Sequence, residues 1–169
     1  MDFTFRKGTA ADSELLIRFL DEVKAGMLQQ EWFYLDPPEA VRTMLAEGTM
    51  ELWLATAEDR LAGVFTVLHP GLQEQNYGYD LGLGERELLQ VIHMDTAAVH
   101  PHYRGQGLQG RMVQMAEEAL SGKGRRILLS TVHPENRFSL KNMLAQGYRI
   151  EKRVAKYGSE RCILRKEIF

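Results

Sequence analysis

The chain has 169 residues, of which 44% are hydrophobic and 26% are charged, a balance typical of a globular protein with a substantial core. Its 21 basic and 23 acidic residues leave a net charge of −2, which does not favour a nucleic-acid partner. The single cysteine excludes an internal disulfide and indicates a reducing, cytoplasmic location, and no apolar run reaches membrane-spanning length. We expect one domain over residues 1–169, with no membrane partner.

Hydrophobic periodicity and turn residues predict seven strands and four helices. The predicted strands cover residues 3–6, 51–57, 61–68, 93–99, 126–132, 148–156 and 161–167. The predicted helices begin at Thr9, Asp36, Leu108 and Asn136 and end at Met27, Gly48, Gly122 and Gly147. In chain order the elements read β-α-α-β-β-β-α-β-α-β-β. The fold class is therefore α/β, with a central mixed sheet of about seven strands flanked by four helices.

Three local features of the first half support these boundaries. Thr9 and Asp12 have the spacing of a capping box, which starts a helix. Gly48 follows the second apolar-periodic stretch and is typical of a helix end. Residues 69–85, rich in glycine and polar residues, form the longest predicted loop, and that length favours a substrate-facing lid over scaffold.

The stretch after the fourth predicted strand is typical of an anion-binding site. The strand ends in a proline-bearing turn, and the glycine-spaced sequence Arg104-Gly105-Gln106-Gly107 leads directly into the helix that begins at Leu108. The first turn of a helix has backbone N–H groups without helical partners, and the helix dipole adds partial positive charge there. Phosphates bind readily at such a place, and Arg104 adds a full positive charge.

The residues also indicate which phosphate ligand is bound. The lysine of a P-loop is missing, and the glycine spacing of a dinucleotide fingerprint lacks its downstream acidic residue. The order Val99-x-Pro101-x-x-Arg104-Gly105-x-Gly107 resembles the acetyl-CoA pyrophosphate loop of the GNAT superfamily of N-acetyltransferases. Gln109 stands where that family usually has glycine or alanine, and Gly110 comes one place later.

A second motif carries the same resemblance. Asn136-x-x-Ser139, followed by Gly147-Tyr148, is similar to the family's second conserved region. The resemblance implies the GNAT acyl-CoA N-acyltransferase fold, acetyl-CoA as the cofactor, and Asn136 and Ser139 beside the pantetheine arm. Asn136 can also be a helix N-cap. The implied cofactor-binding residues are Ala97, Ala98, Val99, Arg104, Gly105, Gln106, Gly107, Leu108, Gln109, Gly110, Asn136 and Ser139; no metal site is expected.

Acetyl transfer to an amine needs a base for the amine and a donor for the oxygen of the thioester. His93, Asp95, Ala97 and Val99 share one face of the predicted strand. His93 stands where several members of the family carry a glutamate base, and its ordinary pKa suits proton removal near neutral pH. Asp95 is the competing base, or the group that recognises a cationic substrate. The resemblance implies that a backbone N–H near Ala98 or Val99 donates a hydrogen bond to the thioester oxygen.

The acid that protonates the leaving thiolate is less evident. The family often has a tyrosine seven residues after the conserved asparagine, and here that position is Met143. Tyr148, Tyr103 or a water molecule would have to replace it, or the thiolate leaves unprotonated. We therefore expect an N-acetyltransferase that acts on a primary amine of a small molecule or peptide N-terminus, by direct attack in a ternary complex, as a monomer or homodimer. The alternative is a catalytically silent module that binds or senses acyl-CoA.

Overall fold

The computed structural model describes residues 1–169 and contains seven strands and five α-helices. The strands are β1 (Thr4–Lys7), β2 (Met50–Ala57), β3 (Arg60–Leu68), β4 (Val91–Val99), β5 (Arg126–Val132), β6 (Arg149–Lys156) and β7 (Ser159–Ile168). The helices are α1 (Ser13–Ala25), α2 (Pro38–Glu47), α3 (Glu85–Leu88), α4 (Leu108–Leu120) and α5 (Arg137–Ala145). The prediction of four helices is therefore short by one, because α3 begins at the last residue of the predicted loop 69–85.

The strands form one mixed sheet in the order β1-β2-β3-β4-β5-β7-β6. Strands β4 and β5 pair in parallel, as a strand–helix–strand connection requires. The pairs β1–β2, β5–β7 and β6–β7 are antiparallel. The predicted α/β class and the mixed seven-strand sheet are confirmed.

The chain divides into two compact units that are interleaved in sequence. The first unit comprises Met1–Val67 and Thr96–Ala116, and the second comprises Leu68–Asp95 and Glu117–Phe169. Strand β4 and helix α4 each contribute residues to both units. The expectation of a single domain over residues 1–169 stays a prediction.

In the first unit the amphipathic helices α1 and α2 pack against each other. The capping box is present: the Thr9 hydroxyl accepts from the Ala11 N–H, and the Asp12 carboxylate accepts from the Thr9 N–H at 2.8 Å. It caps a single 3-10 turn that leads directly into α1. Helix α2 ends at Gly48 in the left-handed conformation, as the sequence predicts.

In the second unit one face of the sheet has an apolar core of alternating strand residues. Its buried members are Tyr77, Val91, Ile127, Leu129 and Ile163. Four of these lie on β4, β5 and β7, where alternation directs every second side chain to the same face. Tyr77 is different, because it comes from the connection between β3 and β4.

Candidate active site

The loop between β4 and α4, Arg104–Gly107, is called the glycine loop here. Gly105 and Gly107 have φ angles of +79° and +73°, which side chains with a Cβ rarely adopt. Apart from the glycine itself and its two chain neighbours, no protein atom lies within 4 Å of the position that a Cβ would take at Gly105 or Gly107. The backbone of this loop is therefore open to close approach by a ligand.

The start of α4 presents the expected unpaired donors. The first helical hydrogen bond runs from the Arg111 N–H to the Gly107 carbonyl at 3.1 Å. The N–H groups of Leu108, Gln109 and Gly110 precede it and have no helical acceptor. Thirteen residues of aligned peptide dipoles add partial positive charge at this end. We call the glycine loop and these three N–H groups together the cradle. Its unpaired donors and partial positive charge suit a pyrophosphate.

Arg104 and Gln109 border this cradle. The Arg104 Nε donates to the Val99 carbonyl at 3.2 Å, which ties the exposed arginine to the end of β4. Gln109 is half-buried in the first turn of α4. The glutamine that departs from the family pattern therefore stands among the unpaired N–H groups themselves.

The hydrogen bonds of β4 decide which backbone donors face away from β3. His100 donates to the Ala62 carbonyl at 2.8 Å, and Thr96 donates to the Thr66 hydroxyl at 3.1 Å. Because backbone N–H groups alternate along a strand, Ala98 also points toward β3. Ala98 and Val99 are the two residues whose backbone N–H is predicted to donate to the thioester oxygen. Only the Val99 N–H points away from β3, so the alternation favours Val99.

The parallel pairing of β4 with β5 is short. It joins Val91 to Ile127, Ile92 to Leu128 and His93 to Leu129, and there it ends. Both strands continue, so Met94 and Asp95 on β4 and Ser130 to Val132 on β5 lie beyond the last pair. We call this place the fork. The edge of β5 that faces β4 has no β4 partner beyond the root of the fork, the pair His93–Leu129.

A residue that sequence reasoning missed lies at the root of the fork. Tyr77 belongs to the connection between β3 and β4, residues 69–90, which we call the tyrosine segment. Its ring stacks on the His93 imidazole with centroids 3.9 Å apart and planes 13° from parallel, and only 4% of the residue is exposed. The Tyr77 N–H donates to His93 Nε2 at 3.1 Å.

The hydroxyl of Tyr77 is also engaged. It lies 2.6 Å from the Tyr157 hydroxyl, which is at the turn between β6 and β7, and it has a hydrogen bond with Thr131 on β5. Burial and the nearby Asp95 charge raise the pKa of Tyr77 well above its usual value. Tyr77 therefore stays un-ionised and is neither a ready acid nor a base at neutral pH.

The tyrosine segment is anchored beside Tyr77 by Asn76, which is almost fully buried. The Asn76 amide donates to the Gly71 carbonyl at 2.8 Å and the Leu88 carbonyl at 3.1 Å, and its oxygen accepts from the Gly78 N–H at 2.8 Å. The Asn-x-Gly sequence indicates such a turn. No local pattern indicates that the next side chain reaches His93.

These contacts weigh against His93 as the base. Its Nε2 already accepts a hydrogen bond, its ring is covered by Tyr77, and 3% of the residue is exposed. Burial, with a smaller contribution from the Lys156 charge, lowers the pKa of His93 to about 3. Asp95, one alternation further along the same face, is half-buried and close enough to Tyr77 to raise its pKa.

On α5, the structure confirms the N-cap interpretation of Asn136, whose Oδ1 accepts from the Ser139 N–H at 3.3 Å.

Neither tyrosine proposed as the thiolate acid is well placed to give up a proton. The Tyr148 hydroxyl donates to Glu117 at 2.7 Å, and burial raises its pKa. Tyr103 is buried in the first unit, against Phe3 and His102. Met143 is buried as well.

Comparison with family models identifies the family of this chain. Residues 25–148 match the model of the acetyltransferase (GNAT) family, which covers most of the chain. The chain therefore belongs to the GNAT family of acetyltransferases, whose acetyl donor is acetyl-CoA. A comparison with curated protein sequences gave no match.

Solved structures share the fold at low sequence identity. The chain is similar to a GNAT acetyltransferase from Streptococcus pneumoniae, with 18% identity, a TM-score of 0.73, and 99% of this chain and 100% of that chain covered. It is similar to Arabidopsis thaliana NAA60 in complex with acetyl-CoA, with 15% identity, a TM-score of 0.75 and 99% of both chains covered. It is also similar to yncA from Salmonella typhimurium with its cofactor acetyl-CoA, with 11% identity, a TM-score of 0.69, and 100% and 95% covered.

Two further findings concern ligands and membranes. The histidine, cysteine and acidic side chains form no group of three or more that could hold a metal ion. No helix in the structure has both the length and the apolar character that crossing a bilayer requires.

Proposed function

We propose that this protein transfers the acetyl group of acetyl-CoA to a primary amine of a small molecule or a peptide N-terminus. The observation that carries the proposal is the glycine loop, where two glycines with positive φ and the first N–H groups of α4 form an open cradle. Acetyl-CoA supplies an activated acetyl group as a thioester. The acetyl-CoA complexes of NAA60 and yncA support this choice of donor.

In the proposal, the glycine loop holds the pyrophosphate. The N–H groups of Leu108, Gln109 and Gly110 donate to its oxygens, and Arg104 adds a positive charge. The backbones of Gly105, Gln106 and Gly107 approach the phosphates closely. This assignment uses donors that have no other acceptor within the helix, so binding satisfies them at little cost.

The fork receives the arm that carries the thioester. An extended, amide-bearing chain pairs with an open strand edge as an added strand would, and the edge of β5 beyond Leu129 is open in this way. Asn136 and Ser139 are the side chains proposed along this arm, and the Asn136 Nδ2 is available because the cap uses only Oδ1. Ala97 and Ala98 are further proposed cofactor-binding residues, and the Val99 N–H is the proposed donor to the thioester oxygen, where negative charge develops.

Asp95 is the proposed base. Its carboxylate attracts the acceptor as an ammonium ion and takes one proton from it, which leaves a neutral amine for direct attack in a ternary complex. The complex of NAA60 with a bisubstrate analogue supports such a direct route, because both substrates are represented in one ligand. The attacking nitrogen loses its second proton to water as the amide forms. The thiolate leaves unprotonated or takes its proton from water, since a thiol pKa near 8.5 makes it an adequate leaving group.

Two observations favour the alternative, a catalytically silent acyl-CoA sensor. Met143 occupies the usual acid position, and the Tyr148 proton is committed to Glu117. Both functions need the cradle, and only the enzyme needs Asp95.

For either function we propose a cytoplasmic location, with which the single buried cysteine agrees. We also propose that the protein is a monomer or homodimer.

Thiol release from acetyl-CoA, measured against a panel of polyamines, amino acids and peptides with free N-termini, separates the two. The enzyme releases thiol in proportion to one class of amine and forms one acetylated product per thiol. The sensor binds acetyl-CoA and releases thiol with no member of the panel. A protein that does not bind acetyl-CoA overturns both.

A further inference from the structure

We propose that the Gln109 side chain binds the pantetheine arm of the donor, at the polar groups that directly follow the pyrophosphate. This inference rests on the proposed function, because it takes the pyrophosphate to lie on the cradle. In the proposed function Gln109 contributes only its backbone N–H. The side chain adds a contact that distinguishes CoA from other molecules that carry a pyrophosphate.

The contacts of α4 show which side of the helix faces which strand. The Cζ of Arg111 lies 4.4 Å from the centroid of the Phe5 ring, which belongs to β1. The Cε of Met112 lies 3.1 Å from the position that a Cβ would take at Gly63 on β3. One step along the helix, a rotation of about 100°, therefore moves the contact from β1 to β3.

Gln109 continues this rotation toward β4. It lies about 60° beyond Met112 around the helix axis, in the same sense as the step from β1 to β3. The next strand of the sheet is β4, whose end leads through one turn into the glycine loop. Gln109 is also aligned with Val113 and Ala116, which are both buried. Its side chain therefore stands between the cradle and the end of β4.

The Gln109 carboxamide is available to a ligand. Gln109 is half-buried, and its side chain makes no hydrogen bond to another residue. A carboxamide offers two N–H donors and an acceptor oxygen. If a ligand covered these groups without hydrogen-bonding to them, the loss of their water would oppose binding. A ligand that offers partners of its own is therefore favoured at this place.

The chemistry of CoA supplies such partners. Its pyrophosphate is followed by the pantoyl group, whose hydroxyl and amide are the first polar groups of the arm. The carboxamide of Gln109 can accept from that hydroxyl and donate to the amide carbonyl. ADP has the same adenosine and pyrophosphate but no arm. Gln109 therefore strengthens the binding of CoA and leaves that of ADP unchanged.

The opposite hypothesis is that the Gln109 side chain crowds the donor, since the family usually has glycine or alanine at this position. The two hypotheses predict opposite signs. Removing a hydrogen-bonded side chain weakens CoA binding, whereas removing an obstruction strengthens it. Loss of one or two hydrogen bonds of a neutral amide changes an affinity by about two- to tenfold.

The test is calorimetric titration with CoA, with ADP measured by its displacement of CoA. Gln109→Met keeps the length of the side chain and removes its hydrogen bonds, and Gln109→Ala removes both. Each variant should bind CoA about two- to tenfold more weakly, and each should bind ADP within about twofold of wild type. Gln114→Met makes the same exchange at an exposed position of α4 and should change neither affinity.

The two ligands together decide the outcome. Weaker binding of CoA in both Gln109 variants, with the affinity for ADP retained, supports the inference. Unchanged or stronger binding of CoA overturns it. An equal loss for CoA and ADP also overturns it, because the side chain would then act on the phosphates or on the fold. These failures leave the proposed function intact, since wild type still binds CoA. A wild type that binds neither CoA nor acetyl-CoA sinks both.

Discussion

The glycine loop and the tyrosine segment differ in what fixes their shape. In the glycine loop the backbone does so: Gly105 and Gly107 take positive φ angles and the loop is exposed. In the tyrosine segment side chains do so: Asn76 and Tyr77 are buried and hydrogen-bonded to residues distant in sequence. The proposed phosphate site therefore depends on local geometry, whereas the proposed reacting end depends on tertiary contacts.

Two candidate bases, His93 and Asp95, stand two residues apart on β4, and replacing them should give the largest change in activity. Asp95→Asn should reduce kcat/KM for the amine by about 100- to 10,000-fold, the usual span for a positioned base. His93→Gln, which keeps a side chain of similar reach, should reduce it by less than about tenfold. Steady-state kinetics with a saturating donor and the correct amine measures both. The reverse ranking would return the role of base to His93.

The next effect concerns the cradle alone. Gly107→Val forces a β-branched residue into a left-handed conformation and puts a side chain at the proposed phosphate site. Arg104→Glu opposes the pyrophosphate with a negative charge. Each should weaken acetyl-CoA binding about 100-fold, which removes about 2.7 kcal/mol of ligand stabilisation. The shift of the melting temperature by acetyl-CoA is the measurement.

Two matched variants separate binding from general damage. Arg18→Glu makes the same charge change at an exposed position on α1, and Gly48→Val imposes similar backbone strain at the end of α2. Both should retain the shift produced by acetyl-CoA, although Gly48→Val lowers the melting temperature itself. An undiminished shift in the two cradle variants would place the cofactor elsewhere.

The dependence of stability on pH tests the tyrosine segment. The folded protein keeps His93 neutral down to about pH 3, because burial lowers its pKa, whereas the unfolded chain takes up the proton near pH 6.5. The free energy of unfolding should therefore fall as pH drops from 6.5 toward 3, by up to about 1.4 kcal/mol per pH unit. This contribution is fully present above pH 6.5.

Urea unfolding at a series of pH values measures that slope. His93→Gln should flatten it in this window, because the variant has no imidazole to protonate on unfolding. His102→Gln changes an exposed histidine and serves as the control. Identical slopes in wild type and His93→Gln would mean that His93 is not held neutral by its surroundings.

The smallest effect lies in a motif that is entirely local. Thr9→Ala removes the side-chain oxygen of the capping box that precedes α1 and should cost about 1 kcal/mol of stability. Thr9→Ser keeps that oxygen and should restore most of the loss. Acetyl-CoA affinity should not change in either variant. A weakened affinity in Thr9→Ala would mean that the capping box influences the cofactor site.

The sequence predicts those features of this protein that depend on neighbouring residues. The capping box at Thr9, the helix end at Gly48 and the N-cap at Asn136 depend on neighbours within a few residues, and the structure confirms each. The glycine loop is predictable for the same reason, since its geometry needs only its own glycines and the helix that follows.

The remaining features depend on partners distant in the chain. Tyr77 meets His93, Thr131 and Tyr157 only after the sheet has formed, so no spacing in the sequence indicates its position. The early end of the β4–β5 ladder is likewise invisible in two apolar strands. The hypothesis that His93 titrates near neutral pH used its ordinary pKa, and burial under Tyr77 changes that value.

Amide hydrogen exchange, followed residue by residue with NMR in the presence and absence of acetyl-CoA, tests directly whether the start of α4 binds the phosphates. The N–H groups of Leu108, Gln109 and Gly110 have no helical acceptor, so they should exchange quickly in the free protein. We expect acetyl-CoA to slow exchange at these three amides, because phosphate oxygens then accept from them. Binding of acetyl-CoA with unchanged exchange at all three, and protection at another part of the chain, would contradict it.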